Sequence, residues 1–185
     1  MKLLTHSPRP TSRNRRFRFV CVALLAPVSL AVAGLAGYRV NVTPSEPIGI
    51  WRIRSLGRPP AIGDVVFICP PERPDMDEAA LRGYLRSGLC SGGFAPLIKT
   101  IVASAGQQVE IGQSVTVDHV ALPYSALASR DGKWRPLTPH AGGVVPNGFV
   151  FLHSDFVGSF DSRYFGPIPA AGILGLAQEV LTFAP

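Results

Sequence analysis

The hydrophobic pattern of the chain changes once, near residue 38. Before that point, Phe19 to Tyr38, "FVCVALLAPVSLAVAGLAGY", runs for 20 residues without a charge, which is long enough to cross a bilayer as a helix. Pro27, Gly34 and Gly37 are residue types tolerated in such helices. The alternative is a cleaved signal peptide, for which "AGLAG" offers small residues, but the apolar run is longer than the roughly 7–15 residues of that class. After Tyr38 the apolar residues come in short β-branched runs bounded by Gly, Pro or Asp: Ile48 to Ile53, Val65 to Ile68, Leu97 to Val102, Phe149 to Leu152 and Gly175 to Phe183. Runs of this kind read as strands. In "VEIGQSVTV", Val109 and Ile111 alternate with polar residues, as do Val115 and Val117 beyond Gly112-Gln113, the pattern of a hairpin. One short helix is predicted between Cys69 and Cys90, capped by Asp75 or Asp77 and presenting Leu81, Tyr84 and Leu85 on one face. With 18 prolines and 19 glycines among short strands, the expected body is mainly β, loop-rich, and closed into one or two curled antiparallel sheets.

Charge sharpens this picture. The net charge of +6 is contributed by Lys2, Arg9, Arg13, Arg15, Arg16 and Arg18, and from residue 19 onward 12 basic residues face 12 acidic ones. No basic excess remains on the domain to hold phosphates, so nucleic acid is not expected as a partner. Positive charge just before an apolar span keeps that end in the cytoplasm. The chain therefore divides into a basic cytoplasmic tail (1–18), a transmembrane anchor (19–38) and an exported domain (39–185), single-pass in a cytoplasmic membrane with the domain in the periplasm. The lipid bilayer is the first expected partner.

Cys69 and Cys90 are the only cysteines of that domain. In an exported protein such a pair predicts a disulfide. The four histidines show no metal-ligand spacing, and neither a metal nor an organic cofactor is expected.

Chemistry is suggested by scarcity. Only three of the 18 basic residues are lysines, and Lys99 alone stands in an apolar strand, "PLIKTIV". Burial disfavours the ammonium, and a lysine, unlike an arginine, can then lose its proton and act as a base. The bland alternative is a lysine whose head reaches solvent past a strand edge. In "NVTPSEPIGIW", Ser45 lies between Pro44 and Pro47, which fix backbone φ and hold the segment outside any helix. A serine hydroxyl becomes a nucleophile when a base takes its proton, and a lysine suffices. By itself the segment could equally be a linker turn. Gly49 would let a substrate backbone approach closely. Trp51 would pack in the domain or at the membrane interface.

The segments "TPSEPIGIW", "PLIKTIVASAGQQVEI" and "GSFDSRYFGPIP", in this order and near this spacing, resemble the boxes of the serine-lysine signal peptidases, most of all the conjugative-transfer branch. The resemblance spans anchor and domain and implies a signal-peptidase-like β body. It matches Ser45 to the nucleophile, Lys99 to the general base, Ser159 to a hydroxyl positioning the lysine, Asp161 with Arg163 to a structural ion pair, and Thr43 to an oxyanion-hole hydroxyl. Housekeeping leader peptidases carry Met where this chain has Glu46, and Gly-Asp-Asn-Arg where it has His153 to Phe156, "HSDF". Asp155 thereby becomes a candidate for an auxiliary acidic role.

The implied function is a membrane-anchored serine endopeptidase acting on tethered protein precursors, such as a pilin subunit, by cleavage or by cleavage with cyclisation. Ser45 lies seven residues past the span, at most about 25 Å from it, which places the site near the membrane. The rival expectation is a non-catalytic anchored module of a secretion or mating channel.

Overall fold

The computed structural model describes residues 27–184, and the basic tail and most of the expected span lie outside them. Of the span, 27–35 is helical, residues 36–37 turn, and Tyr38 already opens the first strand. Among the described residues no helix is long and apolar enough to cross a membrane. Contacts divide the chain between Tyr38 and Arg39.

Among the described residues, eleven strands form two antiparallel sheets. The larger has seven: β1 (Tyr38–Asn41), β2 (Ile48–Arg54), β3 (Val65–Ile68), β4 (Leu97–Ser104), β9 (Phe149–His153), β10 (Ile168–Pro169) and β11 (Ile173–Phe183). Their order is β1-β2-β11-β3-β4-β9-β10. The smaller sheet joins β5 (Gln108–Ile111), β6 (Val115–Val117), β7 (Val120–Ala121) and β8 (Gly143–Val144) in the order β7-β6-β5-β8. The expected hairpin is present, with Val109 opposite Val117 and Ile111 opposite Val115. All five apolar runs read as strands are strands. The short β1, β7, β8 and β10 carry too few residues to show alternation.

Position in the sheet explains the burial of the site. β4 lies between β3 and β9, pairing Lys99 with Val66 and Thr100 with His153. The side chains of an interior strand are flanked on the same face by residues of both neighbouring strands. Val66, Ile68, Met76, Ile101, Leu152 and Ile168 form the main core, while Trp51, Phe67 and Ile98 form a separate cluster.

Two sequence expectations are corrected. The helix between the cysteines, α1 (Pro74–Leu81), starts on a proline at its first turn, follows Arg73 without a side-chain cap, and buries Met76 and Ala79. It ends before Tyr84 and Leu85, and Leu81 is exposed. A second helical turn, α2 (Ser162–Phe165), is capped by Asp161, which accepts from the Arg163 amide. Cys69 and Cys90 are bridged, with Cα atoms 5.6 Å apart. Closing a loop of this length stabilises a domain by about 3 kcal/mol, and here it fixes α1 against the core.

Candidate active site

Ser45 lies in the turn between β1 and β2, and one asparagine sets the shape of that turn. The Asn41 Nδ2 donates to the carbonyls of Thr43 (2.9 Å), Glu46 (2.8 Å) and Pro47 (3.1 Å). Its Oδ1 accepts from the Thr43 amide (3.0 Å) and the Thr43 hydroxyl (2.7 Å). Pro44 and Pro47 restrict φ on either side, so the asparagine and the prolines together hold the segment. The Thr43 hydroxyl also lies 3.4 Å from Ser45 Oγ. A second clamp comes from far along the chain: the Ser154 hydroxyl donates to the Ser45 carbonyl, and the Ser154 amide donates to Asp161 Oδ2 at 3.2 Å.

Gly49 serves a different purpose from the one expected. Its φ is +143°, and an added Cβ would come within 2.1 Å of the Leu181 carbonyl oxygen. The close approach is that of β11, not of a substrate. Trp51 is 2% exposed and donates from Nε1 to the Pro47 carbonyl at 2.9 Å, so it packs in the domain and buttresses the Ser45 turn.

Ser45, Thr43, Lys99 and Ser159 line one cleft of about 330 Å³. Lys99 is 3% exposed. Burial pushes its ammonium below the ordinary lysine range, against the opposing pull of Asp161 and Glu46, and Arg163 adds to the lowering. Among the described residues no direct hydrogen bond joins Ser45 Oγ to Lys99 Nζ. Ser159 Oγ is buried without a hydrogen-bond partner among the described residues, a hydroxyl with open valences in the wall of a cleft that holds an amine.

Behind the cleft, Asp161 and Arg163 are fully buried and joined by two bonds of 2.8 Å, from Nε to Oδ1 and from Nη2 to Oδ2. Arg163 Nη1 donates to the Ala126 carbonyl at 2.7 Å. Asp155 stands apart. Its side chain is 77% exposed, outside the cleft wall, with Oδ1 3.7 Å from His153 Nδ1. Burial keeps His153 below its usual range, so at neutral pH this contact involves a neutral imidazole.

Asn41, Ser154 and Glu46 were not singled out as site residues by sequence. Asn41 had a local signal, since an asparagine entering a proline-bracketed turn commonly bonds the backbone ahead of it. Ser154 had none. Glu46 is half-buried, and burial, with help from Asp155 and Glu179, pushes its carboxyl up to about 7 despite the nearby Lys99 ammonium and the Ser154 hydroxyl. Among the described residues no cluster of three His, Cys, Asp or Glu side chains is placed to hold a metal ion.

A buried lysine of lowered basicity, sharing a cleft with a serine held in a rigid turn on an antiparallel β body, is the layout of a signal peptidase. The chain belongs to that class: residues 13–182 match the signal peptidase, peptidase S26, family. It is 61% identical over 180 residues to the probable conjugal transfer protein TraF of Sinorhizobium fredii, covering 95% of this chain and 96% of that one. It is 54% identical to the conjugal transfer protein TraF of Agrobacterium fabrum, covering 94% and 99% of the two chains. A plasmid transfer protein TraF of Escherichia coli is 36% identical, over 89% of this chain and 94% of its own.

Proposed function

We propose that this protein is a membrane-anchored serine endopeptidase that processes precursors for conjugative transfer, with Ser45 as nucleophile and Lys99 as general base. The observation that carries this is the burial of Lys99 in the wall of the cleft that also presents Ser45. Neutral Lys99 takes the Ser45 proton as Oγ bonds to the scissile carbonyl carbon. The developing oxyanion is met by the Ser45 amide, joined by the Thr43 hydroxyl once its proton turns away from Asn41 Oδ1. Lys99 then returns the proton to the leaving nitrogen as the C–N bond breaks, and an acyl-serine ester remains. Water resolves the ester in hydrolysis, and a terminal amine of the substrate resolves it in cyclisation. Ser159 has an open hydroxyl with which to orient the lysine. The conjugal transfer names of the relatives support a role in conjugation, and a pilin-type precursor is the substrate proposed.

Membrane attachment rests on the apolar span, the basic tail and an exposed apolar face beside the Ser45 turn. Ile48 faces Phe183 and Ile50 faces Leu181. All four are exposed, a combination more common at membrane or partner surfaces than on a free one. A second reading, the non-catalytic channel module, is favoured only by the absence of a direct Ser45–Lys99 hydrogen bond among the described residues. Such bonds are often long in unliganded sites.

One experiment separates the possibilities. A tethered precursor is offered to the outer face of spheroplasts carrying the parent chain or Ser45→Ala. Processing by the parent alone is expected. Processing that appears only after permeabilisation would overturn the orientation, and equal processing by both chains, or by neither, would overturn the enzyme.

A further inference from the structure

Two further hollows adjoin the cleft. One of about 170 Å³ lies between Ser159, Tyr164, Ala128 and Leu137. The other, of about 450 Å³, lies between Leu137, Pro139, Tyr164 and Phe165. Tyr84 and Phe160 border all three spaces, and Gly158 and Ser159 border both the cleft and the smaller hollow. The walls are aromatic. The Phe160 ring lies 5.0 Å from Tyr84, 6.1 Å from Tyr164 and 5.3 Å from Phe165. Tyr84, Phe160 and Tyr164 are only partly buried, so their faces remain open to an occupant.

These walls are held in place by specific bonds. Residues 122–142 carry no regular strand or helix, yet they are tied at widely separated points. Arg163 reaches Ala126, the Ala128 amide donates to the Tyr164 hydroxyl, and Arg135 Nη2 donates to the Arg82 carbonyl. The Tyr84 hydroxyl donates to Asp131, and the His140 amide donates to the Arg163 carbonyl. A long segment fastened this way, standing off from the rings behind it, forms a preformed groove. The acids at its rim are neutralised locally: Asp75 by Arg73, Glu78 by Arg82 and Asp131 by Arg135. What the groove offers an occupant is ring surface.

We propose that these hollows are remote subsites of the peptidase, each taking an aromatic or large aliphatic side chain of the precursor several residues from the bond that is cut. This rests on the cleft being the cleavage site. An extended chain advances about 3.3 Å per residue with side chains alternating in direction. A segment leaving the Ser45–Lys99 cleft past Ser159 therefore presents every second side chain to the ring surfaces.

The test is a binding measurement, independent of turnover. The full chain carrying Ser45→Ala is titrated with fluorescent peptides in which a single Phe is walked through an alanine-glutamine background on either side of a small-residue centre. Phe at one or two positions on one side is expected to tighten binding about tenfold over the Phe-free peptide, as for burial of one ring. Leu137→Trp, which fills the space between the hollows, should abolish that gain and leave the Phe-free peptide unaffected. Val157→Trp, at an exposed position on the wall of the smaller hollow, should reduce the gain without disturbing the core. A flat Phe walk, or a gain surviving both tryptophans, would overturn the subsites. A peaked walk in a parent chain that cleaves nothing would retain the groove and remove the dyad.

Discussion

Two cations are buried within one site, and the chain treats them in opposite ways. Arg163 is fully enclosed and fully partnered: both oxygens of Asp161 receive it, and the Ala126, Phe156 and Ser159 carbonyls take further bonds. Lys99 is nearly as enclosed, yet among the described residues its ammonium makes no hydrogen bond. Arginine cannot shed its proton in a protein, so burying it requires partners for the charge. Lysine can give the proton up, and burial without partners drives it to do so. Arg163 fixes the loop carrying Ser159 and α2, whereas Lys99 is left with a weakened hold on its proton, as the proposed base requires.

The most severe way to break this contrast is to make the second cation like the first. Lys99→Arg should lower precursor turnover on the order of a thousandfold, as expected for loss of a general base. Lys99→Met should be equally inactive but no less stable. The sign follows from linkage. Folding lowers the lysine pKa, so between the folded and unfolded values the unfolded chain binds more protons, and stability falls as pH falls through that window. Methionine removes that dependence. Turnover and urea unfolding at several pH values check both statements; an active Lys99→Arg would mean that the site uses a charge rather than a base.

The partnered cation should fail in the other sense. Asp161→Ala strips Arg163 of its carboxylate and leaves a buried charge facing carbonyls alone, which should cost about 3–5 kcal/mol of unfolding free energy. Equilibrium denaturation measures this. A loss below about 1 kcal/mol, as for an exposed pair, would show that Arg163 escapes to water and that the two cations are not opposites.

The contrast was half legible in the sequence. The isolated lysine in "PLIKTIV" could be placed on an apolar strand because strand placement follows local apolar pattern, but burial and a head reaching solvent both remained open until the structure gave its 3% exposure. The five main strands and the hairpin were readable for the same reason. The disulfide was readable from the cysteine count and the expected export of the domain. The clamps were not, because they are contacts between distant segments: Ser154 reaches the Ser45 carbonyl across 109 positions, and no window of sequence contains both. The face of α1 was misread because the helix starts at Pro74 and ends at Leu81, before Tyr84 and Leu85, with Met76 and Ala79 inward. Gly49 was assigned to substrate approach when β11 occupies that space. The aromatic groove was invisible, since residues 122–142 have no periodicity and acquire their form from Arg163 and Tyr84.

The smallest expected effect concerns the carboxyl that both faces Lys99 and follows the candidate nucleophile. Folding raises Glu46 from 4.5 to about 7, so between those values the folded chain holds more protons than the unfolded one. Stability from this group therefore falls as pH rises through that window, and the cost is complete above it. Glu46→Gln should stabilise the domain above pH 7 by about 2 kcal/mol, allowing for the group's partial access to water, and should change little near pH 4. The same substitution also acts on the unpartnered cation. Ionised Glu46 favours the protonated form of Lys99, and glutamine removes that support while keeping similar volume. The acidic limb of the turnover profile should therefore move to lower pH in Glu46→Gln, because Lys99 would lose its proton more readily. Asp161 still favours the ammonium and Arg163 still opposes it, so the limb should move without vanishing. A profile that does not move while the alkaline stability gain appears would confine Glu46 to the fold. Movement of both would show that the residue after the serine tunes the base that serves it.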